Sequence, residues 1–184
     1  GAGTALAGAD GTGGAGGIGG ATSKGLLAAG ANVFVLGRSQ ERLDAFVQEA
    51  ASDRLAVSRG DVGLEADVEH AFAACVKQFG TIDILVNNAG IGLPSPDLAE
   101  TDVEVFDQMV RTNMRGVFLC NRAALQVMKP RGSGHILTVI SMAGQRTNPG
   151  APLYCASKFG ARGLSGGLGD QACLCRERVG QATV

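Results

Sequence analysis

Tyr154 and Lys158 are the two side chains in this 184-residue sequence whose types and spacing point most directly to chemistry. Tyr154 is the only tyrosine of the chain, and Lys158 follows it by four positions in the stretch PLYCASKFG. Residues four apart lie on the same face of a helix. A free tyrosine has a pKa of about 10, and a cation beside it favours the phenolate. The pair therefore suits acid/base catalysis, and the alternative is a surface pair that only stabilises a helix.

Short runs of branched apolar residues alternate with helical stretches, and these elements must position the pair. The predicted strands end in polar or glycine residues and cover residues 32–37, 54–62, 83–90 and 135–141. The predicted helices cover residues 20–29, 39–51, 65–79, 102–128 and 152–165, and the fourth carries an apolar stripe of Val103, Phe106, Val110 and Val117. This alternation predicts an α/β fold, a Rossmann-type doubly wound parallel sheet in three layers, which binds ligands at the carboxyl ends of its strands.

A glycine-rich stretch, GTGGAGGIGG at residues 11–20, leads into the first predicted helix. Such a loop lets backbone N–H groups approach a pyrophosphate, and the helix N-terminus favours its charge. The register is ambiguous, because GxGxxG fits from Gly11 and again from Gly14, while TGxxxGIG fits from Thr12. A flexible low-complexity linker is the alternative. No regular strand is predicted before the loop, because TALAGADG carries glycine and the charged Asp10 where a central strand should be apolar.

The end of the predicted strand 32–37 bears on the choice of cofactor. An acidic residue at this place binds the ribose hydroxyls of NAD, whereas an arginine accommodates the 2′-phosphate of NADP. Here the strand ends in Gly37 and is followed by Arg38 and Ser39. Because an acid is absent and Arg38 is present, the sequence favours NADP(H), with NAD(H) as the second option. The alternative for Arg38 is an ordinary solvated side chain in a charged segment.

Composition argues against several functional classes. Sixteen basic and seventeen acidic residues leave a net charge of −1, which is no electrostatic footprint for nucleic acid. No apolar run approaches a membrane span and the first residues lack signal-peptide features, so we expect a cytoplasmic protein. Five cysteines without a CxxC pair predict free thiols and no metal site. Neither His70 nor His135 neighbours a candidate nucleophile in the sequence.

Six motifs in order give the sequence a resemblance to the short-chain dehydrogenase/reductase family. They lie between Thr12 and Gly163, about four-fifths of the chain, and are TGxxxGIG at 12–19, Asp61-Val62, NNAG at 87–90, Asn113, Ser141 and YxxxK at 154–158. The finer resemblance is to NADP-dependent carbonyl reductases of the 3-oxoacyl-carrier-protein reductase type. The family resemblance implies one dinucleotide-binding domain over residues 1–184 that also carries the catalytic residues.

The resemblance also implies an activity and assigns residues to it. The reaction would interconvert a carbonyl and a secondary alcohol of a small molecule by hydride transfer, in a homodimer or homotetramer. Tyr154 would be the acid/base, with Lys158 lowering its pKa and binding the nicotinamide ribose. Ser141 would donate a hydrogen bond to the oxyanion, and Asn113 would hold a water that relays protons. The expected cofactor-binding residues are Thr12, Gly13, Gly17, Ile18, Gly19, Arg38, Asp61, Val62, Asn88, Ala89, Gly90, Tyr154 and Lys158.

The sequence departs from the family pattern beyond Gly163. Four glycines within seven positions stand where family members carry a long packing helix. The family's C-terminal strand and substrate-covering loop are missing from the sequence as far as Val184. The alternative to an active enzyme is therefore a truncated, catalytically incompetent nucleotide-binding module that acts as a regulator or interaction domain.

Overall fold

A single parallel sheet forms the centre of the protein in a computed structural model that describes residues 3–9, 17–95 and 97–168. Its strands in these ranges are β1 (Thr4–Ala9), β2 (Asn32–Gly37), β3 (Leu55–Arg59), β4 (Ile84–Asn87) and β5 (His135–Thr138). They lie in the order β3-β2-β1-β4-β5, and every neighbouring pair is parallel. The chain runs outward from β1 through β2 to β3 and then builds β4 and β5 on the other side, which confirms the predicted doubly wound sheet.

β1 shows that the expectation of no regular strand before the glycine-rich stretch was wrong. It pairs along its whole length with β2 and over four residues with β4, so it is the central strand. Ala5 and Leu6 are fully buried. A central strand lies between two layers of helices, where small side chains such as alanine fit without a β-branched surface. The strand ends at Ala9, and Asp10 lies outside the described residues.

Helices cover both faces of the sheet, as the three-layer prediction requires. The helices are α1 (Gly17–Ala28), α2 (Gln40–Ala50), α3 (Glu65–Phe79), α4 (Val103–Val110), α5 (Gly116–Met128) and α6 (Pro152–Gly166). On one face α1 and α2 bury Leu27, Leu43 and Phe46 against Val33 and Val35 of β2. On the other face α3 and α5 pack on a larger apolar cluster that includes Leu6, Phe34, Leu36, Phe72, Leu85 and Leu119. Alternate residues of β2 thus serve the two layers.

The long helix predicted over residues 102–128 contains a π-helical turn, Arg111–Arg115, between α4 and α5. The predicted apolar stripe on this helix was wrong at its first two positions, because Val103 and Phe106 are exposed. A π turn takes more residues per turn than an α-helix. A stripe drawn at α-helical spacing across it therefore cannot stay on one face. The buried positions around the turn are instead Met109, Thr112, Asn113, Gly116 and Val117.

The remaining predicted elements agree with the structure apart from their ends. β2 and α3 have the predicted bounds, whereas β3, β4 and β5 each end three residues earlier than predicted, at Arg59, Asn87 and Thr138. The segment RVGQATV at residues 178–184, whose sequence is typical of the start of a strand, lies outside the described residues, as do Cys173 and Cys175. In the part of the chain that the structure describes, no helix has the length and apolar character needed to cross a membrane.

Candidate active site

The predicted site residues follow the carboxyl ends of the strands, which lie at one edge of the sheet. The last residues of neighbouring strands pair in register, as Ala9 with Gly37 and Asn87 with Thr138. Strand order reverses between β1 and β4, and a doubly wound sheet opens a crevice at such a point. The loops after β2, β3, β4 and β5 all leave the sheet at this edge.

Tyr154 and Lys158 lie on α6, and they are not an ordinary surface pair. Lys158 is only 6% exposed, and its Nζ atom lies 5.8 Å from the centroid of the Tyr154 ring. The same ammonium group donates a hydrogen bond of 3.3 Å to the carbonyl oxygen of Val139, just after β5. Burial lowers the pKa of Lys158, because desolvation penalises the charged form. The structure therefore places a buried cation beside a half-buried phenol.

Asn113 lies in the π turn and is 1% exposed, which excludes a place on the helix surface. Its side chain makes two hydrogen bonds with the backbone of Ile91: Oδ1 accepts from the N–H at 2.8 Å, and Nδ2 donates to the carbonyl oxygen at 2.8 Å. A third bond of 2.9 Å runs from Nδ2 to the hydroxyl oxygen of Ser157. The amide therefore fastens the loop after β4 to α6.

Gly90 is the point where these groups meet. A Cβ atom added to Gly90 would lie 3.0 Å from Nζ of Lys158 and 3.4 Å from Oδ1 of Asn113. Asn88 and Ala89 precede it directly after β4, so the predicted Asn88–Gly90 segment reaches the two buried polar groups. The structure thus brings together Asn113, Tyr154, Lys158 and this segment at one place in the crevice.

Ser141 caps a short 3₁₀ turn, Met142–Gly144, in the segment that follows β5. Its hydroxyl oxygen accepts a hydrogen bond of 3.2 Å from the N–H of Ala143. Gly144 packs against α6, because a Cβ there would lie 3.1 Å from the carbonyl oxygen of Lys158. A hydroxyl that accepts one bond still has a proton to donate. Ser141 therefore keeps a donor three residues after the end of β5, on a turn that packs against α6.

Among the predicted pyrophosphate residues, Gly17 begins α1 with φ of 57°, a left-handed conformation that favours glycine. Ile18 is partly exposed and Gly19 is buried in the first turn of the same helix. Thr12 and Gly13 lie outside the described residues. The part that the structure describes therefore contains the helix N-terminus that such a loop requires.

Asp61 and Val62 follow β3 and are fastened to the π turn. One carboxylate oxygen of Asp61 accepts from the Gly63 N–H at 2.8 Å, and the other accepts from Arg111 Nη2 at 2.6 Å. Arg115 donates to the Gly63 carbonyl oxygen at 2.6 Å. The side chain of Val62 is buried. The loop after β3 and the turn that carries Asn113 are thus joined by two arginines.

Arg38 is exposed directly after β2, and a second arginine lies beside it. Arg59, the last residue of β3, is also exposed, and its Nε donates a hydrogen bond of 3.3 Å to the Arg38 carbonyl oxygen. Gly37 and Arg59 pair across β2 and β3. This corner of the crevice edge therefore holds two guanidinium groups.

Sequence reasoning missed Ser157 and a buried polar network beneath the site. Asn87 Nδ2 donates to Asn121 Oδ1 at 2.7 Å and to Thr138 Oγ1 at 3.2 Å. Ser165 on α6 donates to the same Thr138 hydroxyl at 2.8 Å. The network joins β4, β5, α5 and α6. The available signal was a polar residue on an otherwise apolar helix face, such as Asn121 four positions after the buried Val117.

Comparisons with known proteins agree with this geometry. A family model described as short chain dehydrogenase matches residues 11–174. The chain is 42% identical over 137 residues to 2-(R)-hydroxypropyl-CoM dehydrogenase of Xanthobacter autotrophicus, covering 72% of this chain and 55% of that protein. It is 36% identical over 136 residues to an NADP-dependent 3-hydroxy acid dehydrogenase of Shigella flexneri, covering 74% of this chain and 54% of the relative.

A solved structure is similar over a larger part of the fold. The 3-ketoacyl-(acyl-carrier-protein) reductase from Brucella melitensis, complexed with NADH, superposes with a TM-score of 0.87 at 30% identity, covering 94% of this chain and 71% of the other. The chain spans about half the length of the two curated relatives named above. Because the family model covers most of the sequence, this chain belongs to the short chain dehydrogenase family.

Proposed function

We propose that this protein is an NADP(H)-dependent oxidoreductase that interconverts a carbonyl group and a secondary alcohol of a small molecule. The single observation that carries the proposal is the buried ammonium of Lys158, which lies beside Tyr154 and within reach of Gly90 in the crevice. A buried charge is unfavourable unless it has a task or a partner. In a family of dehydrogenases, a phenol paired with such a cation suits proton transfer at an alcohol oxygen.

The residues of the crevice fit a nicotinamide dinucleotide. The N-terminus of α1, opened by the left-handed Gly17, suits the pyrophosphate. Gly90 leaves open a space that a Cβ would fill against Lys158 and Asn113. Arg38 and Arg59 suit the 2′-phosphate of NADP(H), and the Shigella relative is described by its name as NADP-dependent. NAD(H) stays the second option, since the Brucella neighbour was solved with NADH. A bound nicotinamide supplies the hydride or accepts it.

The residues of the chain supply proton transfer and charge stabilisation. In the reducing direction, Tyr154 donates its hydroxyl proton to the developing alkoxide, and the Lys158 ammonium stabilises the phenolate that remains. Ser141 donates a hydrogen bond to the same oxygen and keeps its proton, an interaction worth about 3 kcal/mol in a preorganised site. Asn113, whose side chain is held by Ile91 and Ser157, is the residue assigned to hold the water of the proton relay.

The alternative, a nucleotide-binding module without turnover, is not favoured by the site. Asn113 and Lys158 are buried and oriented by hydrogen bonds, and binding alone does not require that arrangement.

The proposed assembly is a homodimer or homotetramer. Its support is a set of exposed apolar side chains on α4, α5 and α6, namely Val103, Phe106, Phe118 and Phe159. Light scattering of the purified protein measures the mass of the assembly.

The test of the proposal is NADPH oxidation against a panel of ketones and β-keto esters. We expect turnover with at least one of these compounds and a loss of about 100-fold or more in the Tyr154→Phe variant, which keeps the ring and removes the hydroxyl. NADPH binding without oxidation by any compound would support the module instead. Equal rates for the two proteins would remove Tyr154 from the mechanism.

A further inference from the structure

We infer that Ser157 is a positioning residue that holds Asn113 in register with the Tyr154 turn of α6. The inference rests on the proposed function, because the residues that Ser157 joins are those assigned to catalysis. Ser157 is 1% exposed and makes two hydrogen bonds. It accepts from Asn113 Nδ2 at 2.9 Å and donates to the carbonyl oxygen of Tyr154 at 2.8 Å.

The direction of each bond follows from the inventory of donors. The Ile91 N–H can only donate, so the atom of Asn113 that receives it is the amide oxygen. The two N–H bonds of the Asn113 amide then go to the Ile91 carbonyl and to Ser157. Since Ser157 has a single proton, it donates that proton to the Tyr154 carbonyl. Each polar hydrogen of the two side chains has a partner. The bonds to Ile91 fix the orientation of the Asn113 amide, and the amide in turn fixes the orientation of the Ser157 hydroxyl.

The resulting chain of bonds connects three elements around the site. It begins at Ile91 in the loop after β4, passes through Asn113 in the π turn and ends at the helix turn that carries Tyr154. Gly90, where a Cβ would touch both Lys158 and Asn113, is the neighbour of Ile91. A change in the orientation of Asn113 is therefore transmitted to the loop that borders the crevice. Ser157 itself contacts no reacting atom, so its effect is indirect.

Replacing Ser157 by alanine leaves one Asn113 N–H without a partner in a buried place. A buried N–H group without a partner is unfavourable, and it favours rotation of the amide toward another acceptor. The two bonds to Ile91 then weaken together, because they use the same amide. The loop after β4 is expected to open more often, and the catalytic groups to lose their mutual alignment.

Ser165 provides a matched control on the same helix. It is also buried, 4% exposed, and donates a single hydrogen bond of 2.8 Å to Thr138, two turns beyond Ser157. Ser165→Ala therefore removes a buried serine hydroxyl from α6 without touching Asn113. A loss of stability common to both variants is separated in this way from a loss of positioning.

The experiment combines two readouts on wild type, Ser157→Ala and Ser165→Ala. In hydrogen exchange, we expect the Ile91 amide to exchange about tenfold faster in Ser157→Ala and at the wild-type rate in Ser165→Ala. In NADPH-dependent turnover, we expect kcat to fall about tenfold in Ser157→Ala, with KM for NADPH within about twofold of wild type. Should the alanine variant not fold, Ser157→Cys, which keeps the side-chain shape with weaker hydrogen bonding, takes its place.

Unchanged Ile91 exchange in the Ser157 variant, or the same change in the Ser165 variant, would overturn the inference. So would a rise of KM with kcat unchanged. The exchange measurement needs no activity. If wild-type protein does not oxidise NADPH with any substrate, the proposed function fails while the exchange readout still decides whether Ser157 holds Asn113.

Discussion

Gly90 offers the sharpest perturbation of the site, because one added methyl group would contact its two buried polar side chains. The ideal Cβ position lies 3.0 Å from Nζ of Lys158 and 3.4 Å from Oδ1 of Asn113. The backbone of Gly90 is not left-handed, so alanine is compatible with its conformation. Gly90→Ala therefore acts through the side chains that it displaces.

The size of the effect follows from these distances. A contact of 3.0 Å is too short by a few tenths of an ångström, and the flexible end of Lys158 must move by about that amount. Since a misplacement of 1 Å can cost about 100-fold in rate, this smaller shift is expected to lower kcat by about five- to tenfold. The free energy of unfolding should change little, because the ammonium group of Lys158 can still donate its hydrogen bond to the Val139 carbonyl oxygen.

Gly92 supplies the matched control two positions later. A Cβ there would lie 3.6 Å from Cδ2 of Tyr154, an ordinary van der Waals contact that displaces nothing. We expect kcat of Gly92→Ala within about twofold of wild type when both variants are assayed at saturating NADPH. Wild-type kcat in Gly90→Ala, or equal losses in the two variants, would refute the assignment of Lys158 and Asn113 to one crowded site.

Three further predictions concern charge and burial. Because burial lowers the pKa of Lys158 from its ordinary value of 10.5, the unfolded chain binds more protons below that pH. Wild type should gain stability relative to Lys158→Met as the pH rises toward 10.5, and a difference in unfolding free energy that does not depend on pH would contradict this. Arg38→Asp should lower the preference for NADP⁺ over NAD⁺ in kcat/KM by about 10- to 100-fold. The control Arg54→Asp lies just before β3, at the end of the strand away from Arg38 and Arg59, and should leave this preference unchanged. An unchanged preference in both variants would mean that Arg38 does not determine the choice of cofactor. Asn87→Leu should lower the free energy of unfolding by about 2 kcal/mol or more, because it leaves the buried side-chain oxygen of Asn121 without its donor. Urea unfolding measures this difference. A loss below about 0.5 kcal/mol would mean that the polar network does not hold the sheet to α5.

The parts of the fold that sequence reasoning predicted are those in which local preference and tertiary position agree. β2, with the sequence NVFVLG, is β-branched and buried, and its bounds were predicted without error. β1 was missed because alanine and glycine carry no strand signal, and its place between β2 and β4 depends on pairing with distant residues. The π turn was missed because a local insertion in a helix leaves no periodic pattern to read.

The candidate site divides in a similar way. Tyr154 and Lys158 were predictable from one helical spacing, and Asn113 and Ser141 from their order in the family motifs. Their burial and contacts were not predictable, since they depend on how α6 packs against the loops after β4 and β5. Ser157 escaped notice because a serine beside a more reactive lysine has no distinctive sequence signal.

The most direct test of the central claim is the fate of the hydride and its dependence on Tyr154. Wild type and Tyr154→Phe are supplied with [4,4-²H₂]NADPH and a ketone that supports turnover, and the alcohol is analysed by mass spectrometry. Hydride transfer assisted by Tyr154 predicts that wild type forms an alcohol one mass unit heavier, labelled at the carbinol carbon, and that Tyr154→Phe forms almost none. An unlabelled alcohol from wild type, or equal labelled product from both proteins, would contradict it.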